Sequence, residues 1–304
     1  MSVLTIPSNF ATAMREVYGA EGEEWLSRLP GIVNECAERW SLRVAEPFQP
    51  LSYNWAAPAT GSDGTLLVLK VGFPCPEIRN EIEALRIYAG RGSANLLKAD
   101  SGLGALLLER LQPGTMLDSV RDETEATKIA AGVMRRLWRP APADHPFPTV
   151  ADWGKGFERL HEAFAEGRGP FPPNLLAEAE ETFASLLATS AAPVVLHGDL
   201  HHFNILRAER EPWLAIDPKG VVGEPAYEVG AFMRNPSPQL LSEPRPGEIM
   251  SRRLDIFSEE LGIDRQRLRG WSFAQAVLSA CWSYEDHGRV SEHALTCAAL
   301  LRHA

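Results

Sequence analysis

The segment VVLHGDLHHFNIL gathers three histidines, one carboxylate and one carboxamide between two apolar runs. His197 and His201 have the i,i+4 spacing that suits zinc when both rings lie on one helix face. Gly198 and the strand-like flanks argue against a helix, and no third His or Cys follows at a ligand spacing. A G-x-S-x-G nucleophile sequence and a Walker A loop are both absent. The remaining candidates for a functional role in this segment are therefore the carboxylate of Asp199 and the carboxamide of Asn204.

The residues after Asn204 predict a β-hairpin, because two apolar runs flank a charged one. With the turn centred on Arg210–Glu211, Asn204 and Asp217 pair across the ladder, roughly 5 Å apart. Carboxylate and amide oxygens are ligands that Mg²⁺ accepts, with phosphate oxygens and water completing its shell. The sequence therefore predicts Asn204 and Asp217 as magnesium ligands.

The spacing from His197 to Asn204 is that of the protein-kinase catalytic loop, H-R-D-L-x-x-x-N. Asp199 then takes the place of the catalytic base, which accepts and orients the hydroxyl of the phosphoryl acceptor. Asp217, in IDPKG, takes the place of the metal-binding Asp of D-F-G, although here Lys219 follows Pro218 and the glycine is displaced. This arrangement predicts phosphoryl transfer.

Upstream, Lys70 ends the apolar run LVLK, as the phosphate-binding lysine of kinases does. Eleven residues later a helical segment carries Glu81 and Glu83, either of which could pair with that lysine. Glu81 shares a helix face with Leu85 and Tyr88, which should be the buried face. We therefore expect Glu81 to form the pair.

The surrounding elements predict an α+β fold. Two strands, a helix beginning near Pro76 and a further strand precede a Pro-Gly break, and the rest of the chain is mainly helical. We expect a small β-rich lobe at 1–111 that binds nucleotide and a larger lobe at 112–304 with the catalytic loop and substrate site. The helices of the larger lobe should include 153–165, 175–187 and 291–302, besides three longer amphipathic segments.

Together, VLHGDLHHFNIL, AIDPKG, GEPAYEVGAFMRNP and FAQAVLSACWSYEDHG resemble the aminoglycoside/hydroxyurea antibiotic resistance kinases, which include streptomycin 6-phosphotransferases. The resemblance covers roughly residues 40–287. It implies the bilobal protein-kinase-like fold of the aminoglycoside phosphotransferase superfamily and an ATP- and Mg²⁺-dependent transfer to a small-molecule hydroxyl, with streptomycin as the first candidate.

The resemblance also assigns nucleotide contacts. Main-chain groups of Glu109, Arg110 and Leu111 should form the hinge that holds adenine. No G-x-G-x-x-G occurs in LSYNWAAPA, and Ser52 is the candidate that serves the phosphates instead. His197 should support the loop, and Glu228 stands where relatives often carry an Asp, which leaves the transfer of that structural role open.

Acceptor binding is assigned to residues that could attract a cation. Trp282, Glu285 and Asp286 form an aromatic and acidic cluster near the end of a C-terminal helix. His202 is a further candidate for the substrate site, although a solvent-facing position is equally open to it. The expected substrate is a hydroxylated, cationic small molecule.

The composition of the chain bears on its binding partners and on its location in the cell. The net charge of −10 argues against nucleic-acid binding, and no apolar run approaches the ~20 residues that span a bilayer. Four scattered cysteines without CxxC and an N-terminal region without a secretory pattern suggest reduced thiols and a cytoplasmic location. We expect a monomer or weak dimer.

Two alternatives to a streptomycin-like substrate stay open. The acceptor could be a metabolite such as an amino sugar, a fructosamine or a hydroxyurea-like molecule. The chain could also bind nucleotide without turnover, although every key residue of a kinase is present.

Overall fold

The computed structural model describes residues 4–164 and 169–304. The chain forms two compact units, Met1–Gln112 and Pro113–Ala304. Over the described ranges, no helix combines the length and the apolar composition that a membrane span requires.

The first unit is a five-stranded antiparallel sheet with two helices. Its strand order is β1-β2-β3-β5-β4. The elements are α1 (Ser8–Trp40), β1 (Leu42–Val44), β2 (Asn54–Gly61), β3 (Leu66–Gly72), α2 (Pro76–Tyr88), β4 (Leu96–Asp100) and β5 (Ala105–Glu109).

The two faces of this sheet bury different helices. Leu67, Leu69 and Val71 of β3 belong to a core cluster with α1. Val68, on the opposite face, packs in a second cluster with α2. Because side chains alternate along a strand, Lys70 shares its face with Val68. The alternation of β3 therefore presents Lys70 to the side of the sheet on which α2 packs.

The second unit is mainly helical, with two three-stranded antiparallel sheets of order β10-β9-β6 and β11-β8-β7. Helix α9 packs against α4, α5, α6, α8 and α10. The elements are β6 (Pro113–Met116), α3 (Glu123–Leu137), β7 (Arg139–Pro140), α4 (Val150–Ala163), α5 (Pro173–Ala188), β8 (Val194–Leu196), β9 (Ile205–Ala208), β10 (Trp213–Ala215), β11 (Val221–Gly223), α6 (Val229–Met233), α7 (Gln239–Ser242), α8 (Pro246–Leu261), α9 (Arg265–His287) and α10 (Glu292–Leu301).

Most of the expected elements are present. In the first unit, α1, β1 and β4 are additional elements that the sequence patterns did not predict. Helix α1 is bent at Gly19, whose φ of 56° and ψ of −131° lie outside the helical region, and it also contains Pro30. Both residues break the periodicity that would mark a helix in the sequence. The predicted end of a helix at Ala165 lies outside the described residues.

Candidate active site

In the first unit, Lys70 and Glu81 form a buried ion pair. Lys70 Nζ lies 2.6 Å from Glu81 Oε1 and 2.7 Å from Oε2. The two residues are only 3 % and 5 % exposed. Glu83, two positions along α2, hydrogen-bonds Arg86 at the surface instead. The structure thus joins Lys70 to Glu81 and leaves Glu83 outside the pair.

The other nucleotide candidates of this unit lie between strands or at the end of β5. Ser52 is exposed in the segment between β1 and β2. Glu109 ends β5, and its main-chain N–H donates to Asn95 O at 2.9 Å. Its carboxylate accepts from Asn95 N and Nδ2. The Glu109 N–H is therefore engaged within the unit, and Arg110 and Leu111 follow the end of the strand.

In the second unit, His197 directly follows β8. It joins the loop that contains Asp199 to the connection between β10 and β11. Its Nε2 donates to Ile216 O at 2.8 Å, and its Nδ1 accepts from Asp199 N at 3.2 Å. Burial lowers the pKa of His197 to about 4, despite the opposing hydrogen bond to Ile216. The ring is therefore neutral, and both of its nitrogens are occupied by the main chain, so His197 supports the loop and leaves no nitrogen for zinc.

Glu228 holds the same loop from the other side. Its carboxylate accepts the main-chain N–H groups of His197 at 2.7 Å and Gly198 at 2.9 Å. Burial raises the pKa of Glu228 to about 7, and the two N–H groups oppose that rise. Glu228 therefore fixes the main chain of the loop at His197 and Gly198.

Gly198 makes the turn between strand and loop possible. Its φ is +83°, and a β-carbon there would lie 2.6 Å from Trp153 Cη2 and 3.0 Å from a Val221 methyl. A side chain at this position would be both strained and obstructed. The requirement for Gly in HGD is therefore steric as well as conformational.

Asn204 closes the loop onto Asp199. Its Nδ2 donates to the main-chain oxygen of Asp199 at 3.0 Å. Asn204 ends a 3₁₀ turn, His202–Asn204, that leads into β9. Because the amide nitrogen is bound to the loop, Oδ1 is the end of this side chain suited to a hard cation.

The predicted register of the hairpin was wrong by one residue. Ile205 pairs with Ala215, and Asn204 O accepts from Ile216 N at 3.0 Å, so Asn204 does not face Asp217 in the ladder. The connection is closed by a hydrogen bond from Ala208 N to Pro212 O, so residues 209–211 form an odd-numbered loop and the pairing shifts by one position. Asp217 instead leaves the strand with a left-handed φ of 58°.

Asp199 lies beside an imidazole and a guanidinium. Its Oδ2 is 3.6 Å from His201 Nε2, and its Oδ1 is 3.6 Å from Arg234 Nη2. Burial acts to raise the pKa of Asp199, but the contact with His201 and the charges of Arg234 and Lys219 hold that pKa below its ordinary value. The carboxylate is ionised at neutral pH and suited to orient a hydroxyl group.

Arg234, which lies beside the proposed base, was not among the residues predicted from the sequence. Its Nη1 donates to Gln275 Oε1 of α9 at 2.6 Å, and its main-chain oxygen accepts from His293 of α10. The clue in the sequence is an arginine directly after the apolar run of GAFM. A charge placed there must have partners in the interior.

His202 does not occupy the predicted place. It is 2 % exposed and stacks on Phe232 with ring centroids 4.0 Å apart. Its Nε2 lies 3.4 Å from Arg253 Nη2, and burial followed by the charge of Arg253 lowers the pKa of His202 to about 2. The ring is a neutral part of the interior, which argues against a contact with the acceptor.

The predicted acceptor cluster lies on the last two turns of α9. Trp282 packs edge-on against Trp153, with centroids 5.4 Å apart. Glu285 accepts from Arg159 Nε at 2.9 Å and Nη2 at 3.0 Å. Glu285 is therefore already balanced by a cation of this chain. Asp286, the next residue on the helix, is exposed.

The residues of the second unit fit a divalent cation in their chemistry. Asn204 presents an amide oxygen because its nitrogen is held by the loop, and Asp217 contributes a carboxylate. Mg²⁺ is commonly held by only one or two protein oxygens together with phosphate oxygens and water. The set of donors suits a phosphate-bound magnesium and offers no thiolate or free imidazole for zinc.

Known proteins match the chain over most of its length. Residues 47–287 match the family model described as aminoglycoside/hydroxyurea antibiotic resistance kinase. The chain is 32 % identical to a streptomycin 6-kinase of Streptomyces glaucescens, over 99 % of this chain and 98 % of that protein. It is 36 % identical to a hydroxyurea phosphotransferase of Kitasatospora aureofaciens, over 94 % and 82 %.

Solved structures of low sequence identity share the fold. Choline kinase LicA from Streptococcus pneumoniae has a TM-score of 0.63 at 13 % identity, covering 90 % of this chain and 98 % of its own. A thermostable mutant of aminoglycoside phosphotransferase APH(4)-Ia, in complex with ADP and hygromycin B, has a TM-score of 0.59 at 14 % identity, covering 88 % and 97 %. The predicted fold, protein-kinase-like with a small sheet-rich region and a larger helical one, is confirmed.

Proposed function

Because the chain belongs to the aminoglycoside/hydroxyurea antibiotic resistance kinase family and is a small-molecule kinase, we propose that it transfers the γ-phosphoryl group of ATP to a hydroxyl group of streptomycin or a similar aminocyclitol. The observation that carries this proposal is the catalytic loop, in which the Asn204 amide binds the Asp199 main chain while the Asp199 carboxylate stays partly exposed. The near-complete coverage of a streptomycin 6-kinase supports the acceptor class.

Each residue of the proposal has a distinct task. Asp199 accepts the hydrogen bond of the acceptor hydroxyl and receives its proton as the oxygen bonds to the γ-phosphorus and the bond from that phosphorus to the ADP oxygen breaks. Lys70, held by Glu81, binds phosphate oxygens of the nucleotide. The main chain of Arg110 and Leu111 binds adenine, and Ser52 binds phosphate.

Asn204 and Asp217 would hold Mg²⁺. When bound, the ion supplies positive charge that neutralises the phosphates. The structural relative recorded with ADP supports nucleotide use by this fold. Trp282, Glu285 and Asp286 are the candidates for acceptor contacts, and Glu285 also accepts a hydrogen bond from Arg159.

A second acceptor class has its own support. The identity to a hydroxyurea phosphotransferase is 36 %, and the neutralised Glu285 makes the predicted cation-binding cluster less negative. A small uncharged hydroxylated acceptor such as hydroxyurea is therefore the alternative substrate.

The direct test is transfer of phosphate from γ-labelled ATP in the presence of Mg²⁺, with streptomycin and hydroxyurea as separate acceptors. We expect transfer to one of them, and a fall of about 10²-fold or more in kcat for Asp199→Asn. Asp144→Asn, at an exposed position of the same unit, is the matched control and should keep wild-type turnover. Full turnover by Asp199→Asn would overturn the assignment of the base.

A further inference from the structure

Arg253 of α8 is a buried cation that the proposed chemistry does not use. The residue is 1 % exposed and lies in the middle of the helix. A buried guanidinium is tolerated only when its charge is balanced and its N–H groups are bonded. Its partners therefore show which parts of the unit depend on it.

The charge of Arg253 is balanced by Glu123 at the start of α3. Nε lies 2.9 Å and Nη2 2.7 Å from the same oxygen, Oε2. Glu123 itself is one-third exposed, so the pair joins the interior of α8 to the surface end of α3. This contact fixes the guanidinium plane and leaves Nη1 for other partners.

Nη1 of Arg253 binds the main chain on both sides of Arg234, the residue that contacts the proposed base. It donates to Phe232 O at 3.2 Å and to Asn235 O at 2.6 Å, and Arg234 lies between these two residues. Arg234 in turn reaches Asp199 at 3.6 Å. The main-chain turn that presents Arg234 to Asp199 is thus fastened by the side chain of Arg253.

The same guanidinium reaches the start of the turn that carries Asn204. Nη2 lies 3.4 Å from His202 Nε2, and because a guanidinium can only donate, the imidazole nitrogen accepts. His202 also stacks on Phe232, whose ring lies 4.9 Å from Arg253 Cζ. His202 opens the 3₁₀ turn that ends at Asn204.

We propose that Arg253 is a positioning residue for phosphoryl transfer. Its rigid guanidinium fixes the position of Arg234 beside Asp199 relative to the position of Asn204, the proposed Mg²⁺ ligand. The inference rests on the roles proposed above for Asp199 and Asn204. It adds that the positions of Asp199 and Asn204 both depend on Arg253, a residue of α8 that contacts neither of them.

The geometry of the contacts requires an arginine. One planar guanidinium donates hydrogen bonds to a carboxylate, two carbonyls and an imidazole in different directions. A lysine ammonium has the same charge but only three donors at a single nitrogen. Arg253→Lys therefore keeps the charge opposite Glu123 while it gives up part of the contact to the 232–235 turn or to His202.

The test compares Arg253→Lys with Arg265→Lys in the full chain. Arg265 is a fitting control because it binds Ser251 and Asp255, which flank Arg253 on α8, and it anchors that helix to α9. Initial rates are measured at saturating ATP and acceptor over a range of Mg²⁺ concentrations, well below the Tm of each variant. The acceptor is whichever of streptomycin and hydroxyurea the wild type phosphorylates.

For Arg253→Lys we expect kcat to fall and the Mg²⁺ concentration at half-maximal rate to rise, each by about tenfold. For Arg265→Lys we expect a lower Tm with both kinetic values within about twofold of wild type. A purely structural Arg253 would give the same pattern as Arg265. Wild-type kcat and Mg²⁺ dependence in Arg253→Lys would overturn the inference.

A binding measurement gives a readout that does not depend on turnover. Calorimetry with a non-hydrolysable ATP analogue, with and without Mg²⁺, should show a smaller Mg²⁺-dependent gain in affinity for Arg253→Lys than for wild type. An unchanged gain would contradict a link between Arg253 and Asn204.

Glu123→Gln covers the case in which Arg253→Lys does not fold. It keeps the guanidinium but weakens its anchor, and it should shift the Mg²⁺ dependence in the same direction by a smaller factor; no shift would overturn the inference. Failure of wild type to phosphorylate either acceptor would instead count against the proposed function. The two failures are therefore distinguishable.

Discussion

The Lys70–Glu81 pair and the catalytic loop are both buried arrangements of charge, but they are held in different ways. In the first unit, one side chain binds another directly, with both carboxylate oxygens within 2.7 Å of the ammonium. In the second, the charged and polar side chains bind mainly to the main chain. His197, Asn204 and Glu228 each hold a backbone group of the loop or of its neighbour.

The difference teaches what each arrangement is sensitive to. A pair of side chains depends on the two partners and on the strand and helix that carry them. A loop held through its backbone depends on every residue that fixes the path of the chain, including glycines and carboxylates far from the reacting atoms. Substitutions in the two regions should therefore fail in different ways.

The largest effect on stability is expected in the first unit. Glu81→Gln removes the negative charge that lies within 2.7 Å of the buried Lys70 ammonium, and the free energy of unfolding should fall by about 3–5 kcal/mol. Glu83→Gln is the control on the same helix and should not change the free energy of unfolding measurably, since Glu83 lies at the surface. Urea denaturation measures both, and equal losses would contradict the assignment of the pair.

In the loop, Gly198→Ala should act through the backbone. The left-handed φ and the approach of Trp153 together should lower stability by about 3 kcal/mol and reduce activity per folded molecule. Gly288→Ala has a similar φ of +65° in open space and should lose about 1 kcal/mol with activity retained. If both variants behaved alike, the steric reason given for Gly198 would be wrong.

Glu228 should make the loop sensitive to pH. Because its pKa in the folded chain is raised from 4.5 to about 7, its contribution to stability is present below pH 4.5 and is lost as the pH rises through 7. Between pH 5 and 8, the unfolding free energy of wild type minus that of Glu228→Gln should fall by on the order of 2 kcal/mol. A difference that rises with pH would mean that the two N–H bonds, rather than burial, set this pKa.

The smallest effect is expected at Glu285. Its ion pair with Arg159 is half-exposed, so Glu285→Gln should change stability by less than about 1 kcal/mol. The KM for streptomycin should stay within about fivefold, the equivalent of that energy. A larger rise for streptomycin with no change for hydroxyurea would restore Glu285 as a direct contact of a cationic acceptor.

The sequence predicts the first of the two regions better than the second. Lys70 and Glu81 are eleven residues apart on consecutive elements, and burial of one helix face selects the correct glutamate. In the second unit, the motif locates Asp199 and Asn204, but the hairpin register depends on whether the loop has an odd or even number of residues. One residue decides that register, and the hydrophobic pattern of such short strands does not fix it.

Contacts between residues far apart in the chain could not be predicted from the sequence. Arg234 and Arg253 meet the loop from 35 and more residues away, through helices whose packing the sequence does not specify. Glu228 was located by its motif, but its function became evident only from its two N–H contacts. Helix α1 was missed because Gly19 and Pro30 interrupt its pattern.

The most direct test of the division between the two regions is to measure ATP-analogue binding and phosphoryl transfer on the same two variants. Lys70→Met should weaken binding about tenfold or more and lose transfer, because the phosphates lose their cation. Asp199→Asn should bind the analogue within about twofold of wild type and still lose transfer, since the loop acts on the acceptor. Wild-type nucleotide binding by Lys70→Met, or wild-type turnover by Asp199→Asn, would contradict the account.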